Sequence, residues 1–180
     1  METIAALAGR RIDPPDPETE RFPERNIEAV QIAIGLELKK YRARWLVSSA
    51  AAGADLLGIK AAINLGITPR IVLSPSVREF ARTSVEDRGS YWKQEFESAM
   101  SAVSPENVIL VPPQSAIADT FKAINERILS EAIALSVSNS SELMCFAAWD
   151  GVKRGDEDFS AHFVERAAKL GLPVISICTI

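Results

Sequence analysis

The stretch RWLVSSAAAGADLLGIKAAINLGITPRIVLS, residues 44–74, contains the clearest structural pattern of the chain. Two short apolar runs, Arg44–Ser48 and Arg70–Ser74, flank a longer segment over Ala54–Leu65 that Gly66 follows. Short β-branched runs bounded by turns are typical of buried strands, and a glycine commonly ends a helix. The stretch therefore predicts a strand, a helix and a second strand that is parallel to the first.

The same alternation continues along the chain. It predicts further strands and helices at Thr3–Ala8, Glu24–Tyr41, Ser90–Val103, Asn107–Val111, Ile117–Val137, Glu142–Ala147, Phe159–Leu170 and Pro173–Cys178. Pro75–Gly89 is predicted as a long connection with a single helical turn, and Asp13–Pro23 as a proline-rich loop. Alternating strands and helices predict an α/β, Rossmann-like three-layer sandwich with a mainly parallel sheet of about six strands. We expect one domain over residues 1–180.

Composition excludes several classes of function. The chain has 180 residues, of which 47% are hydrophobic and 24% charged, and its net charge of −4 argues against binding to duplex DNA. No apolar run approaches the roughly 20 residues of a membrane span, and the chain opens with Met1-Glu2 rather than a basic leader. Cys145, Cys178 and the single His162 indicate neither a disulfide scaffold nor a metal site. We expect a soluble, cytosolic protein without a metal or cofactor.

The turn Ser48–Asp55 is the strongest local candidate for a ligand site. In open parallel sheets ligands bind beyond the carboxyl ends of the strands, and this turn joins the second strand to the second helix. Its small residues would expose N–H groups at the start of a helix, and Ser48 and Ser49 add hydroxyl groups, which together suit an anion. Alternatively, the small residues serve close packing and Asp55 complements the helix dipole. The turn is neither a GxGxxG fingerprint nor a Walker A loop.

Other strand ends offer further candidates. Arg10 and Arg11 follow Gly9, where a solvent-facing guanidinium could contact phosphate; simple solvation is the favoured interpretation for Arg11. Trp149-Asp150-Gly151 could stack a base and bind ribose hydroxyls, or could be a packed tryptophan before a turn. Ser74 follows the third predicted strand.

Two features near the last predicted helix favour structural interpretations. The acidic run 156–158 lies directly before Phe159–Leu170, where carboxylates complement the helix dipole, so a solvated turn is favoured over a divalent metal site. His162 lies inside that helix, near Ser160, and is predicted to be a partly exposed surface histidine rather than a general base.

Several pieces of the chain, in this order, resemble the SLOG superfamily. They are IAALAGRRID (4–13), VSSAAAGADLLGIKAAINLGI (47–67), IVLSPSVREFARTSVEDRGSYWKQEF (71–96), FAAWDG (146–151) and AHFVERAAKLGLPVISI (161–177). This Rossmann-like group includes the LOG-type phosphoribohydrolases, the DNA-processing protein A and nucleotide-sensing domains of bacterial defence systems. The chain is most similar to the nonenzymatic sensor type, and the enzyme-type Pro-Gly-Gly-x-Gly-Thr-x-x-Glu motif is absent from it.

The resemblance implies a nucleotide or nucleotide-derived ligand across the strand ends. The contacts that it implies are Gly9, Arg10, Ser48, Ser49, Ala50, Gly53, Asp55, Ser74, Trp149, Asp150, Gly151 and Ser160. The chain departs from the family pattern twice: serines stand where relatives carry glycine in the first turn, and Asp158-Phe159-Ser160 replaces a glycine-glycine-threonine turn. Carboxylates at the second position would repel a phosphate.

Three functions follow as hypotheses. The favoured one is a binding or sensing domain for a nucleotide-derived ligand in a signalling or defence system. The second is a nucleotide N-glycosidase, for which Asp150 and Asp55 are the candidate carboxylates and Glu142 is a more distant one. The third is a structural subunit whose ligand site has degenerated, which the acidic run 156–158 favours.

Partner proteins are expected on two grounds. The resemblance implies a homo-oligomer and allows a separate effector partner. In addition, the region 75–92 carries Val77, Phe80, Val85 and Tyr91 in a stretch predicted as a loop. Apolar residues in such a stretch need either a partner surface or a local fold over the core.

Overall fold

A computed structural model describes residues 2–180 of the chain as six strands and six helices, with short 3-10 turns between some of them. The strands are β1 (Thr3–Gly9), β2 (Ala43–Ser48), β3 (Thr68–Leu73), β4 (Val108–Leu110), β5 (Glu142–Trp149) and β6 (Val174–Cys178). The helices are α1 (Ile27–Lys40), α2 (Ala54–Asn64), α3 (Val77–Ser84), α4 (Ser90–Ala102), α5 (Ile117–Asn139) and α6 (Phe159–Lys169).

The six strands form one parallel sheet in the order β4-β3-β2-β1-β5-β6. The chain moves outward from β1 to β4 and then returns to the other side of β1 to form β5 and β6. Because crossovers between parallel strands are right-handed, the two directions place helices on opposite faces. Helices α1, α2 and α4 pack together on one face, and α5 and α6 pack together on the other. The predicted α/β, Rossmann-like three-layer sandwich is confirmed.

The core lies on both faces of the central strands. Ile4 and Leu7 of β1, Leu46 of β2 and Phe146 of β5 are fully or almost fully buried, which explains why these strands read as continuous apolar runs. Helix α2 approaches β1 closely because Gly58 has no side chain: a Cβ there would lie 2.1 Å from Leu7 Cδ2. The start of α2 is thereby held near the carboxyl end of β1.

The prediction for Pro75–Gly89 is wrong. This region forms a two-turn helix, α3 (Val77–Ser84), and a 3-10 turn over Glu86–Arg88. The helix is capped, since the Ser76 hydroxyl accepts a hydrogen bond of 3.2 Å from the Glu79 N–H. Val77, Phe80 and Ala81 lie on one face of this helix and pack on the core, while its charged residues lie on the other face.

The new helix also changes the argument for a partner protein. Phe80 and Val85 are buried in the core, Val77 packs against it, and Tyr91 remains 45% exposed. The region therefore covers most of its apolar residues by its own fold, and these residues give no further support to an oligomer. The homo-oligomer stays a prediction.

Within residues 2–180, no helix is both long enough and apolar enough to cross a bilayer.

Candidate functional site

The strand order changes direction at β1, which has β2 on one side and β5 on the other. Residue Gly9 pairs with Ala148, so β1 and β5 end at the same level. The carboxyl ends on either side of such a switch point are the usual ligand position in an open α/β sheet. The structure thus brings together the segments after β1, β2 and β5.

Arg10 is the centre of a buried ionic cluster at this switch point. Its Nε donates to Asp150 Oδ1 at 2.9 Å, its Nη1 to Asp158 Oδ1 at 2.5 Å, and its Nη2 to Asp158 Oδ2 at 2.9 Å and to the Val152 carbonyl at 2.7 Å. The expectation that Arg10 faces solvent is wrong, because the residue is only 6% exposed. The segment after β5 folds back over the end of β1 and covers it.

Asp158 both pairs with Arg10 and caps α6. Its Oδ1 accepts the Ala161 N–H at 3.0 Å, and its Oδ2 accepts the Arg154 N–H at 2.9 Å. Burial alone would raise the pKa of Asp158, but hydrogen bonds from Arg10, Ala161 and Arg154 outweigh it and hold that pKa below its ordinary value. The predicted solvated turn therefore applies to Asp156 and Glu157, which are exposed, and is wrong for Asp158.

Asp150 belongs to the same cluster. Its side chain is fully buried, and its two oxygens bond to Arg10 and Arg154. Burial opposes its charge, yet the hydrogen bonds from both arginines lower the pKa of Asp150. A carboxylate that is ionised and paired on both oxygens is a poor proton donor, so Asp150 does not suit the proton transfer that an N-glycosidase requires.

The two chain neighbours of Asp150, Trp149 and Gly151, also have surroundings that indicate a structural role. Trp149 Nε1 donates to Ser176 Oγ at 3.2 Å, and the Arg10 guanidinium carbon lies 5.7 Å from the centre of the indole ring. Gly151 is exposed and has a φ of +76°, which suits a turn. This arrangement favours the interpretation of a packed tryptophan followed by a turn.

Part of the backbone of the turn between β2 and α2 is hydrogen-bonded within the protein. The Ala52 N–H donates to the Ser84 carbonyl at 2.9 Å, and the Ala54 N–H donates to the Arg10 carbonyl at 3.1 Å. Ala50, also predicted as a ligand contact, is completely buried. The N–H groups of Ala52 and Ala54 are therefore not available to an anion, and these two bonds favour the close-packing interpretation of the turn.

Gly53 explains how closely this turn packs against the segment after β1. It forms an antiparallel bridge with Arg11, and its φ is +123°. A Cβ at this position would lie 2.5 Å from the Ile12 nitrogen and 2.6 Å from the Arg10 carbonyl oxygen. The position of Gly53 is consistent with a structural role, in which it joins the two segments that carry Arg10 and Asp55.

The side chains of the same turn are not satisfied. Four of the buried oxygen atoms in and beside the turn have no hydrogen-bond partner among residues 2–180, namely Ser48 Oγ, Ser49 Oγ, Asp55 Oδ1 and Ser84 Oγ. Most buried polar atoms in proteins are paired, so a group of unpaired ones requires an explanation. Two of them, on Ser49 and Asp55, belong to residues that line a cavity.

That cavity has a volume of about 210 Å³ and lies between the sheet edge, α3, α5 and α6. Its walls are apolar, and they include Phe80, Phe121, Ile124, Ile128 and Phe159. The rings of Phe121 and Phe159 have centroids 5.0 Å apart. A dry cavity of about 150 Å³ can hold benzene, so this one has room for a larger planar ring. Apolar walls with a few converging polar groups are typical of small-molecule sites.

Asp55 is the titratable group of the cavity. It is 7% exposed, and its Oδ2 accepts the Ala51 N–H at a long 3.3 Å. Burial raises the pKa of Asp55 to about 7, while the N–H groups of Ala51 and Gly9 and the charge of Arg11 act in the opposite direction. The carboxyl group can therefore be an acid or a carboxylate near neutral pH, which suits either hydrogen bonding or proton transfer.

A more open cleft of about 470 Å³ adjoins the cavity. Gly9, Arg11 and Phe159 line both spaces, and Arg21 and Arg88 also line the cleft. Other polar residues that line the cleft include Asp13, Glu18, Glu157 and the buried Ser160.

The surroundings of Arg11 therefore differ from the simple solvation that the sequence favours. Its side chain is 32% exposed, it pairs with Asp87, and its Nε is buried without a partner. Burial, together with the nearby charge of Arg88, lowers the pKa of Arg11. An anion in the cleft would meet a guanidinium that its surroundings only partly compensate.

Two further predicted residues lie away from the cavity. The Ser74 hydroxyl donates to the Ser76 carbonyl at 3.1 Å, beside a smaller hollow that shares Phe80 and Phe121 with the cavity. Glu142 is exposed at the first position of β5, on the opposite edge of the sheet. It does not join Asp55 at the strand ends.

Sequence reasoning missed the residues that close the cavity. The sequence assigns no site role to the apolar stripe of α5, but its Phe121, Ile124 and Ile128 line the cavity. The available signal was Asn125, a polar residue on that same stripe. It is 5% exposed, and its Nδ2 donates to the Phe159 carbonyl at 2.8 Å and lies 3.3 Å from His162 Nδ1.

Within residues 2–180, no group of three or more His, Cys, Asp or Glu side chains is arranged to hold a metal ion. A scan against protein-family models and a search of curated proteins found no match to this chain.

Proposed function

We propose that this chain is a binding or sensing domain of the SLOG type for a nucleotide-derived small molecule. One observation carries the proposal: an apolar cavity at the carboxyl ends of the central strands ends on two buried polar side chains, Ser49 and Asp55, each with an oxygen that has no hydrogen-bond partner within residues 2–180. A planar base fits between the aromatic walls, and its edge supplies the hydrogen bonds that these two side chains lack.

The ribose and any phosphate extend into the adjoining cleft. Arg11 lines both spaces, and Arg88 lines the cleft, where its Nε donates to the Ile12 carbonyl at 2.9 Å. Arg10 is not assigned to the ligand, because four of its N–H groups already bond to the protein. Its role in this proposal is to hold the segment after β5 in place.

One observation favours the N-glycosidase as a second candidate. Asp55 lies beside the cavity with a pKa raised to about 7 by burial, so it can donate a proton to a departing base. Asp150 and Glu142 do not assist it from their positions, which leaves a single carboxyl group for the reaction. Binding without turnover is therefore the primary proposal.

Native mass spectrometry of gently purified protein, followed by calorimetry with AMP, tests this proposal. We expect a retained nucleotide or measurable AMP binding, and we expect Ser49→Ala to weaken AMP binding about three- to tenfold, the value of one hydrogen bond. Ser48→Ala is the matched control, since Ser48 is also buried and unpaired but does not line the cavity.

The outcomes separate the hypotheses. Equal AMP affinity in the Ser49→Ala and Ser48→Ala proteins would place the ligand elsewhere, and the absence of any nucleotide binding would contradict the proposal. Release of free adenine during incubation with AMP would instead support the N-glycosidase.

A further inference from the structure

We propose that Asp55 binds the ligand as an un-ionised acid, whose Oδ1–H donates a hydrogen bond to an acceptor atom of the ring in the cavity. The inference rests on the proposed function and narrows its ligand class. The ligand would be a neutral heterocycle that presents a ring nitrogen or a carbonyl oxygen at its edge. A cationic ring, or an edge that carries donors only, would not be accepted.

The two oxygens of Asp55 have different surroundings. Oδ2 accepts the Ala51 N–H, so it is the oxygen that has the character of a carbonyl. Oδ1 is buried and completes no hydrogen bond among residues 2–180, although the Gly9 N–H lies close enough to the carboxyl group to favour its charge. A hydroxyl at Oδ1 would therefore remain unsatisfied until a ligand supplied an acceptor. This places the donor at the cavity, next to the unpaired hydroxyl of Ser49.

The charged groups around Asp55 do not stabilise its carboxylate well. Arg11, in the segment after β1, is the cation that faces Asp55, but it is paired with Asp87. Arg88 follows Asp87 in the 3-10 turn Glu86–Arg88 and lies next to that pair. No salt bridge to Asp55 is present within residues 2–180. The N–H groups of Ala51 and Gly9 are the other groups that favour its charge.

The helices around the cavity add one titratable neighbour. Helix α5 presents the uncharged Asn125, and its Lys122 and Glu126 act on His162 of α6. His162 touches Asn125 at 3.3 Å but does not line the cavity. Helix α3 contributes Phe80 and Thr83, which carry no charge. Burial thus dominates at Asp55, with its pKa near 7, while burial lowers the pKa of His162 from 6.5.

These properties couple ligand binding to pH. If only the acid form binds, the affinity is nearly constant well below the pKa and falls tenfold per pH unit well above it. With a pKa of about 7, the dissociation constant should be about tenfold higher at pH 8 than at pH 6. A ligand that binds the carboxylate would give the opposite trend.

Calorimetry with adenosine at pH 6, 7 and 8 tests this inference on the wild type and on two variants. Adenosine has no phosphate and does not titrate in this range. We expect wild-type affinity to fall about tenfold from pH 6 to pH 8. Asp55→Asn should bind with constant affinity, about tenfold tighter than wild type at pH 8, because an amide N–H replaces the carboxyl O–H. His162→Gln should keep the wild-type pH profile.

Measurable wild-type binding that is constant with pH, or tighter at pH 8, would overturn this inference and leave the proposed function intact. A flat profile in His162→Gln would overturn it as well, since it would assign the titration to His162. If Asp55→Asn does not fold, the wild-type and His162→Gln profiles still decide the question. If neither adenosine nor AMP binds at any of the three pH values, the proposed function fails and this inference fails with it.

Discussion

Two clusters of buried polar side chains lie at the same edge of the sheet, and they differ in one respect. The exposed fractions of Arg10 and Asp158 in the first cluster are 6% and 5%, and those of Ser49 and Asp55 in the second are 6% and 7%. Burial is therefore equal. In the first cluster both oxygens of Asp158 accept two hydrogen bonds each, whereas Ser49 Oγ and Asp55 Oδ1 in the second have no partner within residues 2–180.

The comparison separates a polar cluster that is complete within the chain from one that has buried oxygens without partners. A buried polar atom without a partner costs about 1–3 kcal/mol, so a fold keeps such atoms where something else completes them. The Arg10 cluster is complete by itself and stabilises the fold. The Asp55 cluster opens on an apolar cavity, and we infer that a ligand completes it.

The largest expected effect is that of Arg10→Ala on stability. The substitution would leave the carboxylates of Asp150 and Asp158 buried without their main partner. Breaking a buried ion pair in this way costs about 3–5 kcal/mol. Urea denaturation at pH 7 should show a loss of this size in the free energy of unfolding.

Arg11→Ala is the matched control for that measurement. Its pair with Asp87 is 32% and 38% exposed, so its loss should cost about 1 kcal/mol or less. The loss of stability at acid pH gives a second check on the Arg10 cluster. The lowered pKa values of Asp150 and Asp158 contribute stability above their unfolded values near 3.8, and that contribution disappears as the pH falls through the folded values. A loss below 1 kcal/mol in Arg10→Ala would contradict a structural role for this cluster.

The next largest effect concerns Gly53, which lies between the segments that carry the two clusters. Gly53→Ala would place a Cβ against the Ile12 nitrogen and the Arg10 carbonyl in a residue whose φ is +123°. Strain and crowding together should lower the free energy of unfolding by about 3 kcal/mol. Gly151→Ala is the control, because Gly151 also has a positive φ but a Cβ there would meet no atom within 4 Å. Equal losses in the two variants would show that the close contact at Gly53 is unimportant.

The smallest of the three expected effects is that of Asp55→Asn, which should increase the free energy of unfolding relative to wild type rather than lower it. Asp55 has a pKa of about 7 in the folded protein against 3.8 as its ordinary value, so the unfolded chain releases its proton first and the fold loses stability as the pH rises between these values. About two pH units of this range lie above pH 5, which corresponds to about 2–3 kcal/mol. Asp55→Asn removes the titration. We therefore expect its stability advantage over wild type to grow by that amount from pH 5 to pH 8.

Thermal and urea denaturation of wild type and Asp55→Asn at both pH values would measure this difference. Ser49→Ala serves as the control, since it changes the same cavity without removing a titratable group. An advantage that does not change with pH would mean that Asp55 is ionised throughout the range, and the cluster would then resemble that of Arg10.

Local sequence determined the strands, most of the helices and the edge of the sheet on which the site lies. The repeat of short apolar runs and longer segments that end in glycine, as in residues 44–74, depends only on neighbours along the chain. It also placed Gly9, Ser49 and Asp55 at strand ends, and these residues line the cavity. Helix α3 was missed although the spacing of Val77, Phe80 and Ala81 and the Ser76 cap are local signals of a helix, because eight residues are too few for a distinct periodic pattern.

Only the tertiary structure decided which of the two adjacent arginines is locked into the fold. The sequence places Arg10 and Arg11 at the same strand end and favours Arg10 as the ligand contact, but the partners of Arg10 lie 140 and 148 residues further along the chain. The walls of the cavity likewise come from α3, α5 and α6. The physical reason is the range of the interactions: hydrophobic periodicity is set within a few residues, whereas burial, hydrogen-bond pairing and the pKa of Asp55 are set by side chains that meet only when the sheet and its two helical layers assemble.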